Sequence, residues 1–153
     1  MRNRKTRLIA AVVLALLLGG LAFGLIRRQQ ILHTEPIVWY PSVRVFETHN
    51  GYKVYFLEGE HIQGSLYFSK DRQLKEHWNV KAIGSENAAA FLGKSLEEIT
   101  KEYGDPHADI GSGFYIPAYV SENAHLVVLY MENNTVYKVT VKDLITDTVV
   151  ATD

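Results

Sequence analysis

Leu126-Val127-Val128-Leu129-Tyr130-Met131-Glu132-Asn133-Asn134-Thr135-Val136-Tyr137-Lys138-Val139-Thr140-Val141 is the stretch that decides the fold. Two runs of β-formers, Leu126 to Glu132 and Val136 to Val141, flank Asn133-Asn134, and Asn is one of the few residues besides Gly that tolerates positive φ. The stretch predicts a hairpin with a two-residue turn. A third run, Phe114 to Val120, reaches it through Ser121-Glu122-Asn123-Ala124, which extends the hairpin to a three-stranded meander.

Working outward, the residues just upstream change character. Ser85-Glu86-Asn87 leads into Ala88-Ala89-Ala90-Phe91-Leu92 and a closing Gly93, the pattern of a short helix capped at both ends. Ser95-Leu96-Glu97-Glu98 then matches a capping box, in which Ser and the third-position Glu satisfy each other's orphan backbone donors. Leu96, Ile99 and Tyr103 share one face at helical spacing, and Gly104 followed by Pro106 ends the element. Farther upstream, Val43, Val45 and the run Tyr52 to Leu57 flank Thr48-His49-Asn50-Gly51, a hairpin signal. Ile62 to Phe68 follows the Glu58-Gly59-Glu60 turn as a third strand and ends at Ser69-Lys70-Asp71-Arg72. The expected fold is α+β: antiparallel meander sheets over residues 37–153, with two short helices packed on one face. A reading as two copies of one helix-and-meander module finds no leading helix pair in the first half.

The N-terminus carries a different message. Arg2, Arg4, Lys5 and Arg7 precede 19 uncharged residues, Leu8 to Ile26, and Arg27 and Arg28 follow. At about 1.5 Å per residue such a run reaches roughly 28 Å, close to the thickness of a bilayer core. The excess of basic residues before the run predicts a cytoplasmic tail and transmembrane signal-anchor over residues 1–28, a stalk over 29–36, and an extracytoplasmic domain beyond, so the membrane is an expected partner through Leu8–Ile26. The alternative is a cleaved secretory signal, with small residues at Ala22 and Gly24.

Composition narrows the function classes. Beyond residue 28 there are ten basic and 17 acidic residues, a net charge of −7, which opposes nucleic-acid binding. No cysteine is present, so disulfides, thiol nucleophiles, thiolate metal sites and bacterial lipidation are excluded. A disulfide-free exported domain is common in bacteria. Asn133-Asn134-Thr135 fits the N-glycosylation pattern and reads equally as a turn.

The polar, Gly-rich segment Gly104 to Gly113 is the best place to look for chemistry. Asp105, His107 and Asp109 alternate, and in an extended loop they would offer two carboxylates and an imidazole to a metal or a proton. The alternative is purely local: Gly104 caps the helix, Asp105 and Asp109 satisfy turn amides, and Gly111 and Gly113 allow a tight entry into the strand. Gly111-Ser112-Gly113 lacks the spacing and strand-to-helix order of a nucleophile elbow, and Gly93-Lys94-Ser95 lacks the earlier glycine of a P-loop. His49, His61, His77 and His125 do not have zinc-site spacing. No cofactor is implied. Tyr115, Tyr119, Tyr130 and Tyr137 alternate within strands, and a sheet covered on one side would send such residues outward as a binding face.

The order of capped helix, Gly-Asp-Pro loop and meander, carried by Gly93-Lys94-Ser95-Leu96-Glu97-Glu98-Ile99 and Tyr103-Gly104-Asp105-Pro106, resembles the small modules of outer-membrane assembly lipoproteins of the BamE (SmpA/OmlA) type and of the β-lactamase-inhibitor-protein type. The likeness covers residues 84–141, and the chain departs from the pattern in having no lipidation Cys. Ile110 to Tyr115 also resembles a segment of uncharacterised exported proteins of Gram-positive bacteria. The resemblance implies a non-catalytic adaptor or protein-binding module. The sequence thus leads to two expectations: a membrane-anchored, extracytoplasmic, non-catalytic module that binds a protein or envelope component, or a small metal-dependent or acid/base enzyme using Asp105, His107 and Asp109.

Overall fold

Alternation of branched and aromatic residues with short polar turns builds strand after strand from residue 38 onward. A computed structural model describes residues 35–84 and 88–153. Strands β1 (Val38–Tyr40), β2 (Val43–Thr48), β3 (Gly51–Glu58), β4 (His61–Ser69) and β5 (Leu74–Trp78) form an antiparallel meander, sheet 1. A 3-10 turn at Ala88–Phe91 and a single α-helix, α1 (Leu96–Tyr103), come next. Strands β6 (Ala108–Asp109), β7 (Pro117–Val120), β8 (His125–Glu132), β9 (Thr135–Asp143) and β10 (Val149–Thr152) then form a second antiparallel meander, sheet 2. Pro36–Asp153 are one compact unit.

The two sheets pack face to face. Val43, Val45, Val54, Phe56, Leu66 and Phe68 of sheet 1 share one buried cluster with Ala118, Val120, Leu126 and Val128 of sheet 2. The opposite side chains of sheet 2, Tyr119, Val127, Leu129, Val136 and Val139, form a second cluster with Phe91 and with Ile99 of α1. Sheet 2 is therefore the middle layer, covered on both faces. This is why Leu126 to Leu129 are all buried, with no alternation. Polar ties cross the sheet-to-sheet interface at its rim: Ser42 Oγ donates to the Asp109 carbonyl at 2.5 Å and accepts the Asp109 N–H at 3.0 Å. Lys142 Nζ donates to Tyr40 Oη at 3.1 Å and to Asp147 Oδ1 at 3.0 Å. Arg72 at the end of sheet 1 pairs with the buried carboxylate of Asp143.

Three expectations are corrected. The fold is mostly antiparallel sheet with one α-helix, not an α+β domain with two helices on a meander. The Ala88 to Leu92 run closes as a single 3-10 turn, with the Leu92 N–H on the Ala89 carbonyl at 3.2 Å, and Gly93 leaves it at φ 75°. The strands β1, β5, β6 and β10, which complete each sheet to five, have no counterpart among the expected elements because they are short and lie at sheet edges. The transmembrane, signal-anchor and single-pass localisation readings are also withdrawn: among the described residues no helix is long and apolar enough to cross a membrane. The eight residues of α1 reach only about 12 Å. The Leu8–Ile26 run lies outside the described residues. Finally, the hairpin at Asn50-Gly51 is centred one residue earlier than its dipeptide suggests. Gly51 is already in β3, paired with Thr48, and a Cβ there would lie 2.0 Å from the Phe68 carbonyl oxygen.

Candidate functional site

The Gly104 to Gly113 segment owes its shape to its own hydrogen bonds. The Gly104 N–H reaches the Thr100 carbonyl at 2.9 Å with φ 83°, closing α1. Asp109 Oδ1 accepts the N–H groups of Gly111 and Ile116, both at 2.9 Å, which folds the loop back so that a Cβ on Gly111 would meet the Phe114 carbonyl oxygen at 1.7 Å. His107 Nδ1 accepts the Val120 N–H at 2.9 Å, and the ring meets Phe56 and Tyr119 edge-on at 5.7 and 5.2 Å between centroids. Burial holds its pKa down at about 4 against an ordinary 6.5, partly offset by a hydrogen bond to the Lys81 backbone. The imidazole is thus a neutral hinge pin between the two sheets. Asp105 is exposed at the mouth of a groove of about 780 Å³ that His107, Tyr103, Glu58 and Lys81 also line. Of the three residues the sequence put forward, one carboxylate is committed to loop amides and the imidazole to a strand amide. Among the described residues no group of three His, Asp or Glu is placed to hold a metal ion.

The four tyrosines do not form one row. Tyr119 faces the helix side of sheet 2, is fully buried, and donates its hydroxyl to the Gly104 carbonyl at 2.8 Å; burial raises its pKa. Tyr130 lies on the opposite face of sheet 2, half-buried, with the exposed Tyr137 6.5 Å away at a bulge. Tyr115 sits beside Phe114 at the tip of the loop that Asp109 holds, and both are exposed. Burial of Tyr119 follows from the layer order: a middle sheet has no outward face.

The outward face belongs to sheet 1, and the register assembles it. Trp39 pairs with Arg44, Arg44 with Tyr55, Tyr55 with Ser65, and Ser65 with Trp78, one residue from each of the five strands. The neighbouring row is Phe46, Lys53, Tyr67 and Glu76. Val45, Val54 and Leu66, which alternate with these positions, face the core, so both rows point away from it. Trp39 and Trp78 are 62% and 46% exposed, at the two edges of the sheet. Phe46 packs edge-on against Tyr55 at 5.8 Å, and Ser65, flanked by Tyr55 and Trp78, is buried. Cations lie over rings: the Arg44 guanidinium is 4.5 Å from the Trp39 ring centre and Lys53 Nζ is 5.8 Å from that of Tyr67. Arg44 also donates to the carbonyls of Tyr40 and, at 3.0 Å, Val43, which fixes its stem.

This face went unnoticed in the sequence because aromatics occupy both sides of β3 and β4, as Tyr55 and Phe56 or Tyr67 and Phe68 illustrate. The signal that finds it is the pair of charges: once the hairpin register sets Arg44 opposite Tyr55 and Lys53 opposite Phe46, the charged positions mark the solvent side. Compared with known protein families, curated proteins and solved structures, the chain has no match.

Proposed function

We propose that this chain is a non-catalytic binding module that takes its partner on the outward face of sheet 1. The observation that carries this reading is the five-strand row itself. Both tryptophans of the protein stand on one solvent-facing side of one sheet, and large exposed aromatics are the residues that concentrate binding energy. An exposed aromatic face of this extent is unusual on a domain that has no use for it. The loop of Asp105, His107 and Asp109 supports catalysis less well, because a general base needs a free lone pair aimed into the site and His107 has given its own to Val120.

Site-directed photocrosslinking tests the proposal. The full chain carries benzoylphenylalanine either in place of Tyr55, at the centre of the row, or in place of Lys101, exposed on α1. Covalent capture of a defined component from position 55 and not from position 101 is the expected result. Equal capture from both positions, or capture from 101 alone, overturns it.

A further inference from the structure

We propose that the row of Trp39, Arg44, Tyr55, Ser65 and Trp78 is a platform for an extended acidic polysaccharide; this deepens the binding-module reading above and rests on it. The spacing comes first. The three aromatics stand on β1, β3 and β5, at every second strand, so consecutive rings are set about 10 Å apart. That matches the step of two sugar rings along an extended glycan, so alternate pyranoses meet an aromatic. The C–H-rich face of a pyranose packs on a π face whose quadrupole attracts it. Between the aromatics, Arg44 and Ser65 supply donors to ring hydroxyls.

Charge selects the glycan. The domain beyond residue 28 carries a net charge of −7, yet this face presents Arg44 and Lys53 in its two rows and Lys75 at the β5 bulge, against Glu76 alone. Arg44 and Lys53 rest on aromatic rings, so their charges are held beside the stacking surfaces rather than swinging free. A carboxylate on every second sugar would find a cation one strand from the aromatic that holds its neighbour. Shape agrees. The groove at His107 and the cleft of about 600 Å³ at Arg72, Glu122 and His125 are lined by other residues, and an open platform suits a chain lying along it better than an anchoring side chain that needs a pocket. A second copy of the face is disfavoured, because its cations would meet their own kind.

Tryptophan emission reads this face alone, since Trp39 and Trp78 are the only tryptophans. The full chain is titrated with a hyaluronan decasaccharide, with cellohexaose as the neutral extended glycan and with poly-glutamate as an acidic chain without sugars. Hyaluronan is expected to shift the emission saturably, with affinity falling at least ten-fold between 50 and 500 mM salt, and Trp39→Ala is expected to abolish the shift. Lys53→Gln is the second variant, because its side chain rests on an exposed ring outside the core; a weakening of three-fold or more is expected. A shift of equal affinity with poly-glutamate overturns the role of the sugar rings, and one of equal affinity with cellohexaose overturns the role of charge. No shift with any of the three overturns the glycan inference. Capture of a protein from position 55 would then leave the binding-module reading standing, whereas failure of that crosslink as well removes both.

Discussion

At the scale of single residues, the side chains that looked most chemical do structural work. His107 is neutral because burial penalises its charge, and its unprotonated Nδ1 holds the Val120 N–H. The folded pKa of about 4 lies below the ordinary 6.5, so the stability this residue contributes is complete above pH 6.5 and is lost as the pH falls through 4. The loss is on the order of 3 kcal/mol when complete. Urea midpoints at pH 7 and pH 4.5 should therefore differ more for the native chain than for His107→Phe, which removes the titrating group; equal differences would show that the imidazole does not couple to folding. Asp143 illustrates the opposite balance. Burial alone would raise its pKa, but the N–H groups of Thr146 and Ile145 and the Arg72 guanidinium hold it below the usual carboxylate range. Residue types and local spacing revealed that Asp109 and Gly104 belong to a cap-and-turn segment. They did not reveal that His107 bridges two sheets, because its ring neighbours Phe56 and Tyr119 come from different layers.

At the scale of elements, the features legible in the sequence are those whose stabilising groups are close in the chain. The capping box is formed: Glu98 N–H reaches Ser95 Oγ at 3.3 Å and Ser95 N–H reaches Glu98 Oε2 at 2.8 Å. Asn133 and Asn134 both take positive φ, 49° and 62°, in the β8–β9 turn. Ser95→Ala should cost about 1 kcal/mol, read as a lower urea midpoint with unchanged slope. The same junction is also tied to sheet 2, with Gly93 N–H on the Val136 carbonyl and Val136 N–H on that of Lys94, each at 2.9 Å. A ΔΔG well below half that size would mean these sheet bonds, and not the cap, place α1. The Ala88 to Phe91 run shows where local reasoning stops. Its composition favours helix, yet the chain has one turn of space before Gly93 must meet β9.

At the scale of the whole molecule, three layers share one middle sheet, and that arrangement sets which side chains reach solvent. Phe68 lies fully buried between the sheets, and Phe68→Ala should cost about 3–5 kcal/mol. Far-UV circular dichroism and tryptophan emission, which reports sheet 1 only, are expected to lose structure in one shared transition. Two separated transitions would show that the sheets fold independently. The sequence by itself determined the strand-forming runs, the hairpin turns, the helix cap, the absence of cysteine chemistry and the acidic balance of the domain, because each depends on composition or on residues within a few positions of one another. Only the tertiary structure decided that the fold is two packed sheets with one helix, that Tyr119 is buried, and that Trp39 and Trp78, 39 positions apart in sequence, stand on one face. Alternation tells that a strand has two faces; which face meets water depends on what packs against the other, and here that partner comes from the far half of the chain.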